Sequence, residues 1–221
     1  MIVGGDCYER IAALTIPRAE QVLNHPVTTI APPPNTPAHL FKLDLFQHFS
    51  TEHILLIDSD IVFFNWDWAD FEPSAFNAVR SQNLHKFPPI LQAVRNYIPE
   101  PSPLFNTGLW LAPRALADVF SQASKHLKPG GRLLDFMHNF QDETPTNLAL
   151  HENQAPVHVL PNKYNKLHHI WQQPYLPPPE DSFGVHLLSG DPEKKLERIQ
   201  AYCEKYPLTS NCQSPPRSLL S

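Results

Sequence analysis

The chain has 221 residues, a hydrophobic fraction of 42% and a charged fraction of 18%, which is the composition of a globular protein with room for one domain or at most two small ones. Its formal net charge is −5, so it lacks the basic surface that holds a nucleic-acid backbone. The longest apolar runs span four residues, too few to cross a membrane. Since the first residues also lack the pattern of a secretory signal, the sequence predicts a cytoplasmic protein without a transmembrane segment.

Short apolar runs alternate with longer amphipathic segments, which is typical of strands and crossover helices in an α/β sheet. The predicted strands cover residues 2–3, 27–30, 53–57, 75–80, 108–112, 157–160 and 185–188. The predicted helices cover residues 8–23, 39–49, 114–126 with Pro113 at the first position, a segment from about Pro145, and 192–206 with Asp191 as the cap. We expect one domain over residues 1–206 and a flexible tail over 207–221.

Two carboxylates follow the most apolar of these strands. Asp58 and Asp60 flank Ser59 directly after residues 53–57, a run typical of a central strand covered on both faces. Ligands bind at the carboxyl ends of strands in open α/β sheets, and carboxylates so close repel each other unless a cation lies between them. Such oxygen ligands suit Mg²⁺ or Mn²⁺. The alternative is that each Asp hydrogen-bonds the backbone of a turn.

Three further segments suit a site for a metal-bound diphosphate, although each has a plainer explanation. Asn106 and Gly108 enter a predicted strand, where they can approach a ligand or simply form a turn. Asp142 and Glu143 precede a predicted helix and are candidates for chemistry, and the plainer explanation is that Asp142 or Thr144 caps the helix. His186 lies in an apolar strand followed by a helix start that suits an anion, or it is an ordinary buried histidine.

In chain order, these motifs resemble those of the GT-A-fold glycosyltransferases that use nucleotide-diphosphate sugars, especially the glycogenin and bacterial lipopolysaccharide galactosyltransferase type. The resemblance extends from residue 1 to about residue 195 and implies a Rossmann-like, mixed and mainly parallel sheet flanked by helices. It implies an enzyme that moves a hexose from a nucleotide-diphosphate sugar, with a UDP-sugar as the expected donor, to a glycan, lipid or protein acceptor. Retention of the anomeric configuration and Mn²⁺ or Mg²⁺ as cofactor are implied as well.

The resemblance also implies residue roles. Asp58, Asp60 and His186 would hold the metal, while Asp142 or Glu143 would orient the acceptor hydroxyl, deprotonate it or shield the cationic sugar carbon. The other residues expected to contact the donor are Gly5, Asp6, Tyr8, Lys42, Ser59, Asn106, Gly108, Gly190, Lys194 and Lys195. Two motifs depart from the family: Glu143 stands where the family has Gln, and the lysine of the His motif is shifted, so Lys194 and Lys195 are equal candidates for a phosphate contact.

Two rival functions fit parts of the same pattern. A phosphatase of the haloacid dehalogenase type also places Asp-x-Asp after four apolar residues, and would use Asp58 and Asp60 as its acids. A non-catalytic module that binds a sugar nucleotide or a glycan would keep the site without turnover.

Overall fold

The computed structural model describes residues 6–34, 36–82, 88–126, 142–169, 182–188 and 191–208. The helices are α1 (Asp6–Leu23), α2 (Ala38–Leu43), α3 (Leu45–His48), α4 (Pro88–Arg95), α5 (Ala117–His126), α6 (Glu143–Glu152) and α7 (Pro192–Lys205). The strands are β1 (His53–Ile57), β2 (Ile61–Phe63), β3 (Phe76–Arg80), β4 (Phe105–Pro113), β5 (Val157–Leu160), β6 (Lys166–His169) and β7 (Gly184–Leu188). None of the described helices is long and apolar enough to cross a membrane.

The chain divides into two compact units. Unit 1 contains the described residues of Met1–Pro32, Leu56–Asp70 and Pro161–Leu220, and unit 2 contains those of Pro33–Leu55 and Phe71–Leu160. One domain over residues 1–206 with a flexible tail over 207–221 stays a prediction. Residues 209–221 of that tail lie outside the described part of the chain.

Unit 1 contains a mixed sheet in the order β2-β7-β6, with β2 antiparallel and β6 parallel to β7. Helices α1 and α7 pack together and against this sheet through a buried apolar cluster: Ile11, Val62, Val185, Leu187, Leu196, Ile199 and Tyr202. Burial of each such side chain contributes about 1.5–3 kcal/mol. This packing holds the start of α7 beside the strands that carry the predicted metal ligands.

Unit 2 contains strands in the order β1-β4-β3-β5, with β4 antiparallel and β5 parallel to β3. Its core is aromatic: the rings of Trp110 and Phe120 lie 4.8 Å apart, and those of Phe46 and Phe120 lie 5.3 Å apart. Among the described strands, β1 lies at the end of this order, whereas its apolar sequence predicted a central strand. The strand predicted at residues 2–3 lies outside the described residues.

The predicted strand over residues 27–30 is wrong, because only Ile30 makes an isolated bridge in this segment. Pro26 precedes it and Pro32 follows, and a proline has no backbone N–H to donate to a ladder. None of its residues is buried, and Thr28 and Thr29 are exposed, so the segment gains little from joining a sheet.

The predicted helix over residues 39–49 is interrupted at Asp44, which separates α2 from α3. Asp44 has φ −102° and ψ 5°, outside the helical region, and its carboxylate accepts a hydrogen bond from Gln47 at 3.2 Å. Asp is a poor helix former in a helix interior, and the break at this residue turns one predicted helix into two short ones.

Pro113 does not begin a helix. It is extended, with φ −75° and ψ 154°, because β4 continues through it. The backbone N–H of Arg114 donates to the carbonyl of Glu52 at 2.7 Å, and a 3₁₀ turn then leads into α5 at Ala117. By contrast, β1 and β5 have the predicted limits, and Asp191 caps α7 as predicted by accepting hydrogen bonds from the backbone of Glu193 and Lys194.

Gly184 at the start of β7 permits a close approach of two segments in unit 1. A Cβ at this position would overlap the carbonyl oxygen of Tyr164, and it would lie 3.0 Å from a ring carbon of Phe63. Since a backbone carbonyl cannot rotate away as a flexible side chain can, only glycine fits.

We therefore expect Gly184→Ala to lower the free energy of unfolding by about 1–3 kcal/mol, the usual range for overpacking a tight site. Urea denaturation of the variant and the wild-type protein measures this change. Ala201→Ser, which adds one atom at an exposed position of α7, is the control and should change stability by less than about 0.5 kcal/mol. A Gly184→Ala protein as stable as the control would contradict the close approach.

Candidate functional site

The predicted acidic motif forms the turn between β1 and β2. Asp58 is 21% exposed in its side chain, whereas Asp60 is buried. The carbonyl of Asp58 accepts a hydrogen bond from the backbone of Ile61 at 3.2 Å. The hydroxyl of Thr15 in α1 donates to the carbonyl of buried Ser59 at 2.9 Å. These bonds fix the turn through its backbone, which leaves the two carboxylates for other partners.

His186 in β7 completes an Asp–Asp–His group in unit 1. His186 pairs with Ile61 across the antiparallel β2–β7 ladder, and this register places the imidazole beside the turn. Nε2 lies 3.1 Å from Oδ1 of Asp60 and 4.0 Å from Oδ2 of Asp58. One ligand atom from each of the three residues lies within 4.8 Å of the others.

The geometry of this group fits a divalent cation. Two ligands at right angles on an ion with bonds of about 2.1 Å lie about 3.0 Å apart, close to the separation of His186 and Asp60. Carboxylate oxygens and an imidazole nitrogen suit Mn²⁺ and similar ions. The turn explanation for the two Asp residues covers their backbone but not this convergence of their side chains on His186.

Lys195 in the first turns of α7 supplies a positive charge to the same group. Its Nζ donates to Oδ2 of Asp60 at 2.5 Å, and it lies 5.3 Å from the centre of the Tyr8 ring. Burial alone would lower the pKa of Lys195, but the charge and hydrogen bond of Asp60, with Tyr8 and Asp58, together outweigh burial and the pKa is raised. Burial likewise opposes ionisation of Asp60, but His186 and Lys195 hold its pKa well below the usual range. Asp60 is therefore a carboxylate at neutral pH.

The structure distinguishes the two lysines that the sequence left equal. Lys194 is exposed, and its Nζ lies 3.8 Å from Asp191, whereas Lys195 is only 4% exposed and bonds the acidic turn. Asp6 begins α1 at an exposed position, and Tyr8 lies two residues further along the helix. Gly5 and Gly190 lie outside the described residues.

A second group of predicted residues lies in unit 2. Nζ of Lys42 lies 3.0 Å from Oδ2 of Asp142, and the hydroxyl of Thr107 donates to the same oxygen at 2.9 Å. The amide of Asn106 donates to Oε2 of Glu143 at 3.0 Å. We refer to Lys42, Asn106, Thr107, Asp142 and Glu143 as the Asp142 group.

Capping of α6 by Asp142 does not occur. The helix begins at Glu143, and the Asp142 side chain makes no capping hydrogen bond because Lys42 and Thr107 occupy its carboxylate. Asn106 is also more than a turn residue: its side-chain oxygen accepts from the backbone of Gly108 at 3.0 Å while its amide bonds Glu143.

Sequence reasoning missed Thr107 and gave Asn147 no role of its own. Asn147 accepts a hydrogen bond from the backbone N–H of Phe105 at 2.7 Å and donates to the carbonyl of Phe105 at 2.8 Å. It thereby joins α6 to β4. The available signals were the position of Thr107 between Asn106 and Gly108, and the spacing of four residues from Glu143 to Asn147, which places both on one helix face.

The two neighbouring acids of the Asp142 group have opposite pKa shifts. Burial raises the pKa of Glu143 to about 8, and the charge of Asp142 adds to this rise, although hydrogen bonds from Ser81 and Asn106 oppose it. Burial would also raise the pKa of Asp142, but Lys42 and Thr107 outweigh it and the pKa is lowered. At neutral pH, Asp142 is therefore ionised and Glu143 is mostly protonated.

We expect Glu143→Gln to remove a pH dependence of stability. Between its unfolded pKa of 4.5 and its folded pKa of about 8, wild-type Glu143 binds more protons when folded, so the free energy of unfolding falls as pH rises. The Gln variant does not titrate. Its stability relative to the wild type should therefore rise by about 1.4 kcal/mol per pH unit across this window, as measured by urea denaturation from about pH 5 to pH 8.

Glu72→Gln is the matched control. Hydrogen bonds from Ser74 lower the pKa of Glu72, so its contribution is complete above the unfolded pKa of 4.5 and the difference from wild type should stay constant from about pH 5 to pH 8. A constant difference for Glu143→Gln over the same range would show that Glu143 is ionised at neutral pH.

Comparison with known proteins establishes the fold. No protein-family model and no curated protein matches the sequence. A glycosyltransferase involved in the glycosylation of the major capsid of PBCV-1 has a similar structure, with a TM-score of 0.57 and 13% identity, over 90% of this chain and 98% of that one. The galactosyltransferase LgtC, solved with donor and acceptor sugar analogues, has a TM-score of 0.52 and 11% identity, over 94% of this chain and 96% of that one.

Mouse xyloside xylosyltransferase 1, in its apo form, is also similar, with a TM-score of 0.43 and 16% identity, over 75% of this chain and 64% of that one. A TM-score this low does not establish a shared fold. The likeness to the first two structures confirms the mixed α/β GT-A fold that the motifs resemble.

Proposed function

We propose that the protein is a metal-dependent glycosyltransferase that moves a hexose from a UDP-sugar to an acceptor with retention of the anomeric configuration. The observation that carries the proposal is the Asp58–Asp60–His186 group on a GT-A fold. The transferred sugar and the acceptor class (glycan, lipid or protein) stay open. Cytoplasmic location stays a prediction of the sequence.

The charges of unit 1 support binding of a metal-bound diphosphate. Asp58 and Asp60 bring two carboxylates, of which Lys195 neutralises one. A divalent cation bound there would stabilise the negative charge that develops on the leaving diphosphate. Lys195 keeps Oδ2 of Asp60 occupied and thereby leaves Oδ1 as the oxygen that faces His186. Mn²⁺ or Mg²⁺ is the expected ion.

Tyr8 and Asp6 are assigned to the nucleoside of the donor, with the neighbouring Gly5. Tyr8 is half-buried at the start of α1 and lies beside the ammonium of Lys195. An aromatic ring next to a fixed positive charge suits a planar base that is linked to phosphates. The donor contacts of Asn106, Gly108, Gly190 and Lys42 stay predictions of the sequence, and the phosphate contact is assigned to Lys195 rather than Lys194.

Within the Asp142 group, we assign the chemical role to Asp142 rather than Glu143. A carboxylate with a lowered pKa is a weak base, so deprotonation of the acceptor hydroxyl suits Asp142 least. Its permanent negative charge suits shielding of a cationic sugar carbon or orientation of the acceptor hydroxyl. Glu143 is buried and hydrogen-bonded to Asn106, which favours a supporting role as a neutral acid.

The structure favours this function over the phosphatase alternative. The Gly190-Asp191 pair is similar to a second, later motif of such phosphatases, but the side chain of Asp191 caps α7 by accepting hydrogen bonds from backbone N–H groups at 3.1 and 3.3 Å. That is a structural use of the residue, and the GT-A fold gives the phosphatase no further support.

The metal and donor assignment predicts a thermal shift. In the presence of Mn²⁺, UDP at about a hundred times its dissociation constant should stabilise the wild-type protein by about 2.7 kcal/mol relative to Mn²⁺ alone, or about 5–10 °C in melting temperature for a chain of this size. Asp58→Asn removes one ligand charge and should abolish most of this shift.

Asp58 is preferred to Asp60 for this test because it is partly exposed, and its loss leaves Lys195 paired. Asp118→Asn, at an exposed position of α5, is the control and should keep the full shift. The metal assignment would be wrong if UDP stabilised the protein equally without Mn²⁺ or in the Asp58→Asn variant.

The transfer reaction itself predicts a retained product. NMR of the first product formed from a UDP-sugar in the presence of Mn²⁺ should show the anomeric configuration of the donor. An inverted product would contradict the proposed retention. Hydrolysis of an aryl phosphate without any sugar nucleotide would instead support the phosphatase. Absence of both transfer and hydrolysis with UDP- and GDP-sugars would support the binding module.

A further inference from the structure

His186 has a second polar contact that the motif does not include. Its Nδ1 lies 3.2 Å from the side-chain oxygen of Asn165. Asn165 is 0% exposed and His186 is 5% exposed, so water does not compete freely for this contact. Both residues belong to unit 1.

The backbone of unit 1 holds Asn165 in this place. Asn165 follows the 3₁₀ turn Asn162–Tyr164 and precedes β6. In the parallel β6–β7 ladder, Lys166 pairs with Val185 and Leu167 with His186. The absence of a side chain at Gly184 lets the carbonyl of Tyr164 come close to β7. The position of Asn165 beside the imidazole is therefore set by strand register as well as by its own side chain.

The chemistry of this contact decides which imidazole nitrogen carries the proton. An amide oxygen accepts hydrogen bonds and does not donate them, so Nδ1 of His186 must carry a hydrogen to bond Asn165. In the neutral imidazole, Nε2 then has the free lone pair. Nε2 is also the nitrogen that faces Asp60 and Asp58, at 3.1 and 4.0 Å.

We propose that Asn165 is a positioning residue that holds His186 in the Nδ1-protonated tautomer and so presents Nε2 as a metal ligand. The inference rests on the metal-dependent function proposed above and extends it to a residue outside the motif. Hydrogen-bond partners of metal-ligating histidines commonly affect metal affinity by 10–100-fold.

Two substitutions separate the hydrogen bond from the size of the side chain. Asn165→Leu keeps a similar volume but removes the acceptor, and it should weaken Mn²⁺ binding about 10–100-fold. Asn165→Asp keeps an acceptor oxygen and should bind Mn²⁺ as tightly as the wild type or more tightly. Binding is measured with Mn²⁺ alone, from the electron paramagnetic resonance signal of the free ion.

Asn162→Leu is the matched control, because Asn162 lies on the same 3₁₀ turn but is exposed. It should leave Mn²⁺ affinity unchanged. Urea denaturation of each variant without metal shows whether a loss of affinity follows from a loss of folding.

A second measurement tests the tautomer without metal. In protein labelled with ¹⁵N histidine, Nδ1 of His186 should carry a hydrogen in the wild type, whether or not Nε2 is also protonated opposite Asp60, and Asn165→Leu should shift the population toward rings protonated at Nε2 alone. The His186 signal is assigned by its loss in His186→Gln. A wild-type ring protonated at Nε2 alone would overturn the inference, even if Asn165→Leu does not fold.

The two proposals fail in different ways. If the wild-type protein does not bind Mn²⁺, the metal centre of the proposed function is wrong, whereas the tautomer measurement still decides the role of Asn165. If the wild type binds Mn²⁺ and Asn165→Leu binds it equally well, the metal centre stands and the positioning role is wrong.

Discussion

The buried carboxylate of Asp60 is the interaction on which the organisation of unit 1 depends. A lone charge in this position would cost several kcal/mol because it is removed from water. Lys195 of α7 donates to one oxygen of Asp60, and the imidazole of His186 in β7 lies 3.1 Å from the other. The carbonyl of Asp60 also accepts from the backbone of Leu187 at 3.0 Å. One residue therefore connects the acidic turn, a central strand and the C-terminal helix.

This arrangement explains why the local packing and the candidate chemistry cannot be separated in unit 1. The apolar cluster between α1, α7 and the sheet positions Lys195, and the close approach at Gly184 positions Asn165. Both polar residues then act on the Asp–Asp–His group, one through Asp60 and the other through His186. Two of the three ligands, Asp60 and His186, each have a polar partner outside the group, which is the arrangement that favours a preorganised metal site.

The Asp142 group in unit 2 contains two buried acids that differ in protonation state near pH 7. Lys42 and Thr107 provide Asp142 with enough positive charge and hydrogen bonding to stay ionised. No cation among the described residues pairs with Glu143 next to it, and Glu143 is more stable as a neutral acid near pH 7. Adjacent carboxyl groups with separated pKa values are a common basis for distinct chemical roles.

The sequence by itself determined the features that depend on local signals. The apolar run before Asp58 predicted the limits of β1, and the Asp-Pro-Glu segment predicted the cap of α7, because strand-forming runs and caps act over a few neighbouring residues. The order of the motifs was enough to predict the GT-A fold. Only the tertiary structure chose Lys195 over Lys194, since the rotation of α7 against the sheet decides which of two adjacent residues faces inward. It alone placed Asn165 against His186 and made Glu143 neutral, because contacts between distant residues and burial depend on the whole fold.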